Sequence, residues 1–213
     1  MTLGSYREAL EWLESHVDFE RVAPNRLPEP TLEPIRKTLV AIGSPHLDYP
    51  AIHITGTNGK GTTTTITSRL LRETGLRVGT FVSPDLHEIN ERIAVNLEPI
   101  KDSEFIRLMS RLRDVEITTG ISLTRFEILT FGALLHFSDE GVDVAVIEVG
   151  MGGTWDSTNV IDGDVSVITN VSLDHTQVLG PTVSAIARDK VGILRSTGIG
   201  ITASEDPEVV DIV

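Results

Sequence analysis

Residues 53 to 65 read HITGTNGKGTTTT, with glycines at 56, 59 and 61 around Lys60 and four threonines from Thr62. Glycines at this spacing let a backbone approach an anion closely. N–H groups at the start of a helix then supply donors and the positive end of the helix dipole. Lys60 can reach terminal phosphates, and a Thr62 or Thr63 hydroxyl can ligate Mg²⁺. The pattern departs from the common P-loop twice: only Thr57 and Asn58 separate the first two glycines, and Gly61 stands between the lysine and the hydroxyls. A glycine-rich turn that merely starts a helix is the plainer alternative, but strand, glycines, lysine and hydroxyl fall here in order. The expected ATP-binding set is Gly56, Thr57, Asn58, Gly59, Lys60, Gly61 and Thr62.

Other residues of chemical interest lie further on. Glu148 interrupts the apolar run VDVAVIEVG near its C-terminal end, where ligands of open α/β sheets bind, and a charge there must be paired or meet a cation. His175, in SLDHT, follows the next apolar run; it reads equally as a satisfied loop residue or as a ligand. An imidazole by itself points to a softer metal than Mg²⁺, such as Mn²⁺. Asp174 is the weaker candidate, equally suited to capping the following turn. Lys190 sits on a helical stretch, where an exposed lysine is the ordinary outcome.

These residues need a scaffold. Helical spacing predicts helices over 5–15, 35–42, 60–74, 102–117 and 124–140, the last with Phe126, Leu129, Ala133, Leu134 and Phe137 recurring on one face. Strands are expected at 51–55, 77–83, 142–150 and 164–171, with a small hairpin at 91–100 and a Pro-rich loop over 23–34. Nearly unbroken apolar strands alternating with helices predict an α/β fold with a doubly wound, mainly parallel sheet.

GTNGKGT resembles the nucleotide loop of the Mur ligase superfamily, and the glycine after the lysine is similar to the folylpolyglutamate synthase/dihydrofolate synthase branch. FVSPDLHEINERI (81–93), LTRFEILT (123–130), VIEVGMGGTWDSTNVI (146–161) and ITNVSLDHTQVLGPTVSAIARDKVGIL (168–194) also match that branch, in its order. The resemblance implies a Mur ligase central-domain-like fold and an ATP-dependent ligase that adds glutamate to dihydropteroate or folate through an acyl phosphate. It implies that Glu148, His175 and Ser83, with Thr62, bind Mg²⁺ beside the γ-phosphate. It further implies that Lys60, His175 and a carbamylated Lys190 serve catalysis, and that Thr124, Phe126 and Asp156 line a pterin pocket. Phe126 could equally be core packing on its helix. Thr154 and Trp155 stand where the family has a basic residue and then Leu or Trp, and Ser157 where Ala is common, which bears on substrate choice. Family members are about twice as long, so the chain reads as the N-terminal and central ATP-binding domain, incomplete at its C-terminal end, without the closing ligase domain. The alternatives are a non-catalytic nucleotide-binding fragment and a Mur-type ligase with another acyl acceptor; Gly61 and LTRFE argue against the latter.

Bulk composition narrows the partners. Eighteen basic against 31 acidic residues, a net charge of −13, disfavour nucleic acid. No apolar run is long enough to span a bilayer, and the absence of cysteine fits the cytoplasm. A monomer with small-molecule substrates and no organic redox cofactor is expected.

Overall fold

In the computed structural model, which describes residues 2–19 and 31–213, the chain forms α1 (Tyr6–Glu14), α2 (Glu33–Ala41), β1 (Ala51–Thr55), α3 (Lys60–Glu73), β2 (Val78–Phe81), β3 (Ile93–Val95) and β4 (Glu98–Pro99). It continues through α4 (Asp102–Thr119), α5 (Arg125–Asp139), β5 (Val144–Glu148), β6 (Val165–Ile168), α6 (Thr176–Leu179), α7 (Val183–Lys190), β7 (Ile199–Thr202) and α8 (Pro207–Val210). Most of the Pro-rich passage lies outside the described residues.

The strands make one sheet in the order β4-β3-β2-β5-β1-β6-β7. β2, β5, β1, β6 and β7 run parallel, and the β3–β4 hairpin adds antiparallel to the edge of β2. Side chains of β2 alternate between two helical layers, as the period of two requires. Thr80 donates to Ser68 of α3 at 2.8 Å, whereas Phe81 turns to the other face, where its ring lies 6.0 Å from that of Phe126 on α5. Gly79 belongs to that second face: an added Cβ would lie 2.7 Å from the Phe137 ring, so the helix can settle on the strand only if this residue has no side chain.

α5 is buried nearly all round because it lies between the sheet and α1, α2 and α4. The one-sided apolar stripe expected from sequence is therefore too narrow. Its polar residues are matched instead: Thr124 and Glu127 form a reciprocal cap, and Arg125 meets Glu14 at 3.1 Å. The larger apolar core fills this side. A smaller one, built on Ile54, Val78, Val144 and Val146, lies beneath Leu71 of α3.

Candidate functional site

β1 ends at Thr55, and the chain turns sharply into α3 through Gly56 (φ 150°) and Gly59 (φ 81°). Both angles favour glycine. An added Cβ at Gly56 would lie 1.9 Å from Thr169 Oγ1. The turn is fastened to the segment after β6: Thr57 N–H donates to Asn170 O at 2.9 Å and Asn58 N–H to Asn170 Oδ1 at 3.0 Å. Thr169 Oγ1 donates to Asn58 O at 2.7 Å, and Ser172 N–H to Thr57 Oγ1 at 3.0 Å. Sequence reading did not single out Thr169, Asn170 or Ser172. Their polar types right after an apolar strand were the available signal.

Two lysines converge on the same turn. Lys60 Nζ donates to Gly56 O at 3.2 Å and to Thr57 O at 3.4 Å, while Lys190 Nζ, at the end of α7, donates to Gly56 O at 3.0 Å. Lys190 is only 3% exposed, so the expected ordinary outcome of a solvent-exposed helix lysine does not hold. Burial lowers its pKa to about 8, and the Lys60 charge pushes the same way against Asp189, Asp174 and Asp156.

Across the turn stands Glu148, at the end of β5 and nearly fully buried. Its Oε2 accepts the Ser83 N–H at 3.0 Å. Burial raises its pKa, opposed by that N–H and by Lys60. A Cβ on Gly61 would lie 3.4 Å from Glu148 Oε2, an ordinary contact distance that places the glycine after the lysine directly beside the carboxylate. Ser83, Glu148, Gly61 and Lys60 are thus neighbours. Thr62, one residue into the same turn of α3, is exposed. His175 is different. It has a left-handed backbone (φ 46°), its side chain is 54% exposed, and its polar partner is Asp174 at 3.6 Å. The His175 loop is tied to the glycine turn through the Ser172–Thr57 pair. Among the described residues no three His, Asp or Glu side chains gather closely enough to hold a metal by themselves.

Asp156 and Phe126 meet over Gly150, where an added Cβ would lie 2.6 Å from Phe126 Cζ and 3.1 Å from Asp156 Oδ2. Burial raises the Asp156 pKa, against hydrogen bonds from Thr158, Met151 and Gly150. Met151 N–H donates to Oδ2 at 2.9 Å and Thr158 N–H to Oδ1 at 3.0 Å. Thr124 lies at the start of the helix that carries Phe126, its hydroxyl occupied in accepting Glu127 N–H at 3.2 Å. Trp155 and Thr154 face an open cavity of about 510 Å³ that also touches Arg36 and Arg195. A residue missed from sequence sits behind Asp156: His53 of β1, fully buried, with Nε2 2.8 Å from Thr158 Oγ1. The lone imidazole inside the apolar strand AIHIT was its signal.

Residues 54–212 match the family model described as the Mur ligase middle domain. The chain is 35% identical to the dihydrofolate synthase/folylpolyglutamate synthase of Bacillus subtilis and 36% identical to the folylpolyglutamate synthase of Lacticaseibacillus casei, in each case over 98% of this chain and 48% of the relative. Among solved structures, an FPGS–AMPPCP–folate complex superposes with a TM-score of 0.90 at 36% identity, covering 98% of this chain and 50% of the other. An E. coli protein solved with DHPP and ADP gives 0.86 at 32% identity, covering 100% and 50%. The chain thus spans about half the length of the relatives it matches. No helix among the described residues is long and apolar enough to cross a membrane.

Proposed function

Because the chain belongs to the Mur ligase family through its middle domain, we propose that it is the ATP- and pterin-binding part of a ligase that joins glutamate to dihydropteroate or a folate. One observation carries this reading: two lysines from distant parts of the chain converge on Gly56 O, at a glycine turn opposite a buried glutamate. Two ammonium groups around one turn are repulsive unless an anion joins them, and a triphosphate answers that need.

Lys60 would swing from the Gly56 and Thr57 carbonyls to the β- and γ-phosphates, and the N–H groups at the start of α3 would hold the phosphate oxygens. The acceptor carboxylate attacks the γ-phosphorus, ADP leaves, and the amine of glutamate then displaces phosphate from the acyl phosphate. Lys60 stabilises charge on the transferring group. Glu148, with the Ser83 and Thr62 hydroxyls, offers oxygen donors of the kind that suit Mg²⁺, and these residues would hold the ion. When bound, the ion would neutralise phosphate charge. His175 would join it by a shift of its exposed side chain, and Mn²⁺ would suit that imidazole better. Phe126 would stack on the pterin and Asp156 accept its N–H groups. The same reading places the protein in the cytoplasm as a monomer, without nucleic acid or membrane partners.

Calorimetry with AMPPCP and Mg²⁺ tests the central point. Lys60→Ala should weaken binding at least tenfold, on the order of 1.4 kcal/mol for a lost charge-assisted contact. Equal affinity would overturn the assignment.

A further inference from the structure

The pair behind Asp156 has a defined polarity. Thr158 Oγ1 donates to Asp156 Oδ1, and the same Oγ1 lies 2.8 Å from His53 Nε2. A hydroxyl has one proton; with that proton given to the carboxylate, Oγ1 must accept from the imidazole. His53 is therefore the Nε2–H tautomer. Its Nδ1 is a buried acceptor without a hydrogen-bond partner among the described residues. Flipping the tautomer would leave a buried N–H unsatisfied, costlier than a bare acceptor, so the arrangement is locked in one sense. Both residues are fully buried and sit on separate elements, β1 and the 3₁₀ turn Ser157–Val160.

We propose that His53 and Thr158 are positioning residues for Asp156: the imidazole N–H fixes the direction of the Thr158 hydroxyl, which holds Asp156 as a carboxylate with Oδ2 turned to Phe126. The proposal rests on the reading that Asp156 receives the pterin. It supplies what that reading needs, since an ionised carboxylate leaves both oxygens free of a proton to accept N–H donors, while burial favours the protonated acid and the Thr158 hydrogen bonds oppose it. If Asp156 were protonated at Oδ1, the Thr158 hydroxyl would lose that acceptor, and His53 could accept in its place only by moving its own proton to Nδ1, where it would be buried without a partner. Other charged groups also act around this chain: Glu148 of β5, Lys190 of α7, and Arg195 behind His53. None is changed by the substitutions below.

Pteroate is the probe, with AMPPCP binding and circular dichroism as checks on the fold. In Thr158→Val, the pH below which pteroate affinity falls should move upward by about one pH unit, the effect expected of one lost hydrogen bond to a carboxylate. Thr158→Ser should restore the wild-type profile. His53→Leu should shift the profile the same way by less, and the double variant His53→Leu/Thr158→Val should match Thr158→Val, because the imidazole acts only through the hydroxyl. A ¹³C titration of the Asp156 carboxyl, assigned with Asp156→Asn, should show the same upward move without ligand. A loss of affinity equal at every pH, unaltered titration, or additive effects in the double variant would overturn the positioning role. If wild-type and Asp156→Asn bind pteroate alike, or neither binds it, the pterin reading itself fails and the inference with it. Wild-type binding that is lost in Asp156→Asn but unmoved by Thr158→Val and His53→Leu overturns the inference alone.

Discussion

Lys190 shows best how a single side chain departs from its usual behaviour. An ammonium in water titrates near 10.4, so almost none is neutral at physiological pH. Burial against Gly56 O and beside Lys60 brings this one to about 8, which leaves roughly a tenth of it neutral near pH 7. Only the neutral amine captures CO₂, so carbamylation becomes accessible here and nowhere on an exposed lysine. With ¹³C-bicarbonate, the wild-type chain should show a carbamate carbon signal that grows as pH rises towards 8, absent in Lys190→Arg. Removing the neighbouring charge in Lys60→Ala should move its onset to higher pH, because Lys60 helps lower the Lys190 pKa. No signal in the wild-type chain would overturn the expectation that Lys190 is carbamylated. The sequence brought Lys60, Glu148 and Lys190 to notice by type and position, yet it could not show that two lysines 130 residues apart share one carbonyl. Nor did it mark His53, whose part depends on a 3₁₀ turn over a hundred residues away.

At the scale of elements, the helices were legible from their apolar period and the central parallel strands from nearly unbroken apolar runs. Expected bounds for α1, α3, α4, α5 and β1 agree with the structure to within two residues. β7 was not anticipated: Ile199–Thr202 is four residues with a glycine inside, and its alignment comes from parallel pairing with β6, a tertiary cause. α6 is one turn following a left-handed His175, too short to signal itself. The glycine turn between β1 and α3 can be tested at this scale. Because Gly56 combines φ 150° with a would-be Cβ contact of 1.9 Å to Thr169, Gly56→Ala should separate the turn from the β6 end. AMPPCP affinity should drop beyond the tenfold expected for Lys60→Ala, and thermal stability should fall too, whereas Lys60→Ala should leave stability near wild type. A Gly56→Ala protein that binds the analogue normally would show that the turn is more adaptable than its geometry allows. The cap of α5 offers a contrast: Thr124→Ala should cost about 1 kcal/mol of stability in urea denaturation.

Over the whole molecule, interior titratable groups set how the fold responds to acid, and their directions differ. His53, His46 and His136 all have pKa values lowered by burial, His53 to about 3. A base whose native pKa lies below its unfolded value near 6.5 binds fewer protons when folded, so stability falls as pH drops from about 6.5 towards the native value. Glu148, Asp156 and Asp189 act in the opposite sense: burial raises their native pKa values, so the native state takes up protons first and regains stability as pH falls through those values. The net curve is a difference of the two sets, and a substitution is needed to separate them. Between about pH 7 and pH 5.5 His53 alone should contribute a loss of roughly 1 kcal/mol, from the linkage of a group moved from 6.5 to about 3. His53→Gln keeps a side-chain donor and cannot titrate, so its urea midpoint should fall less over that span than the wild type's, whatever its absolute stability. Parallel wild-type and variant profiles would mean that the buried imidazole titrates in the native state as it does in the unfolded chain, so that burial does not lower its pKa.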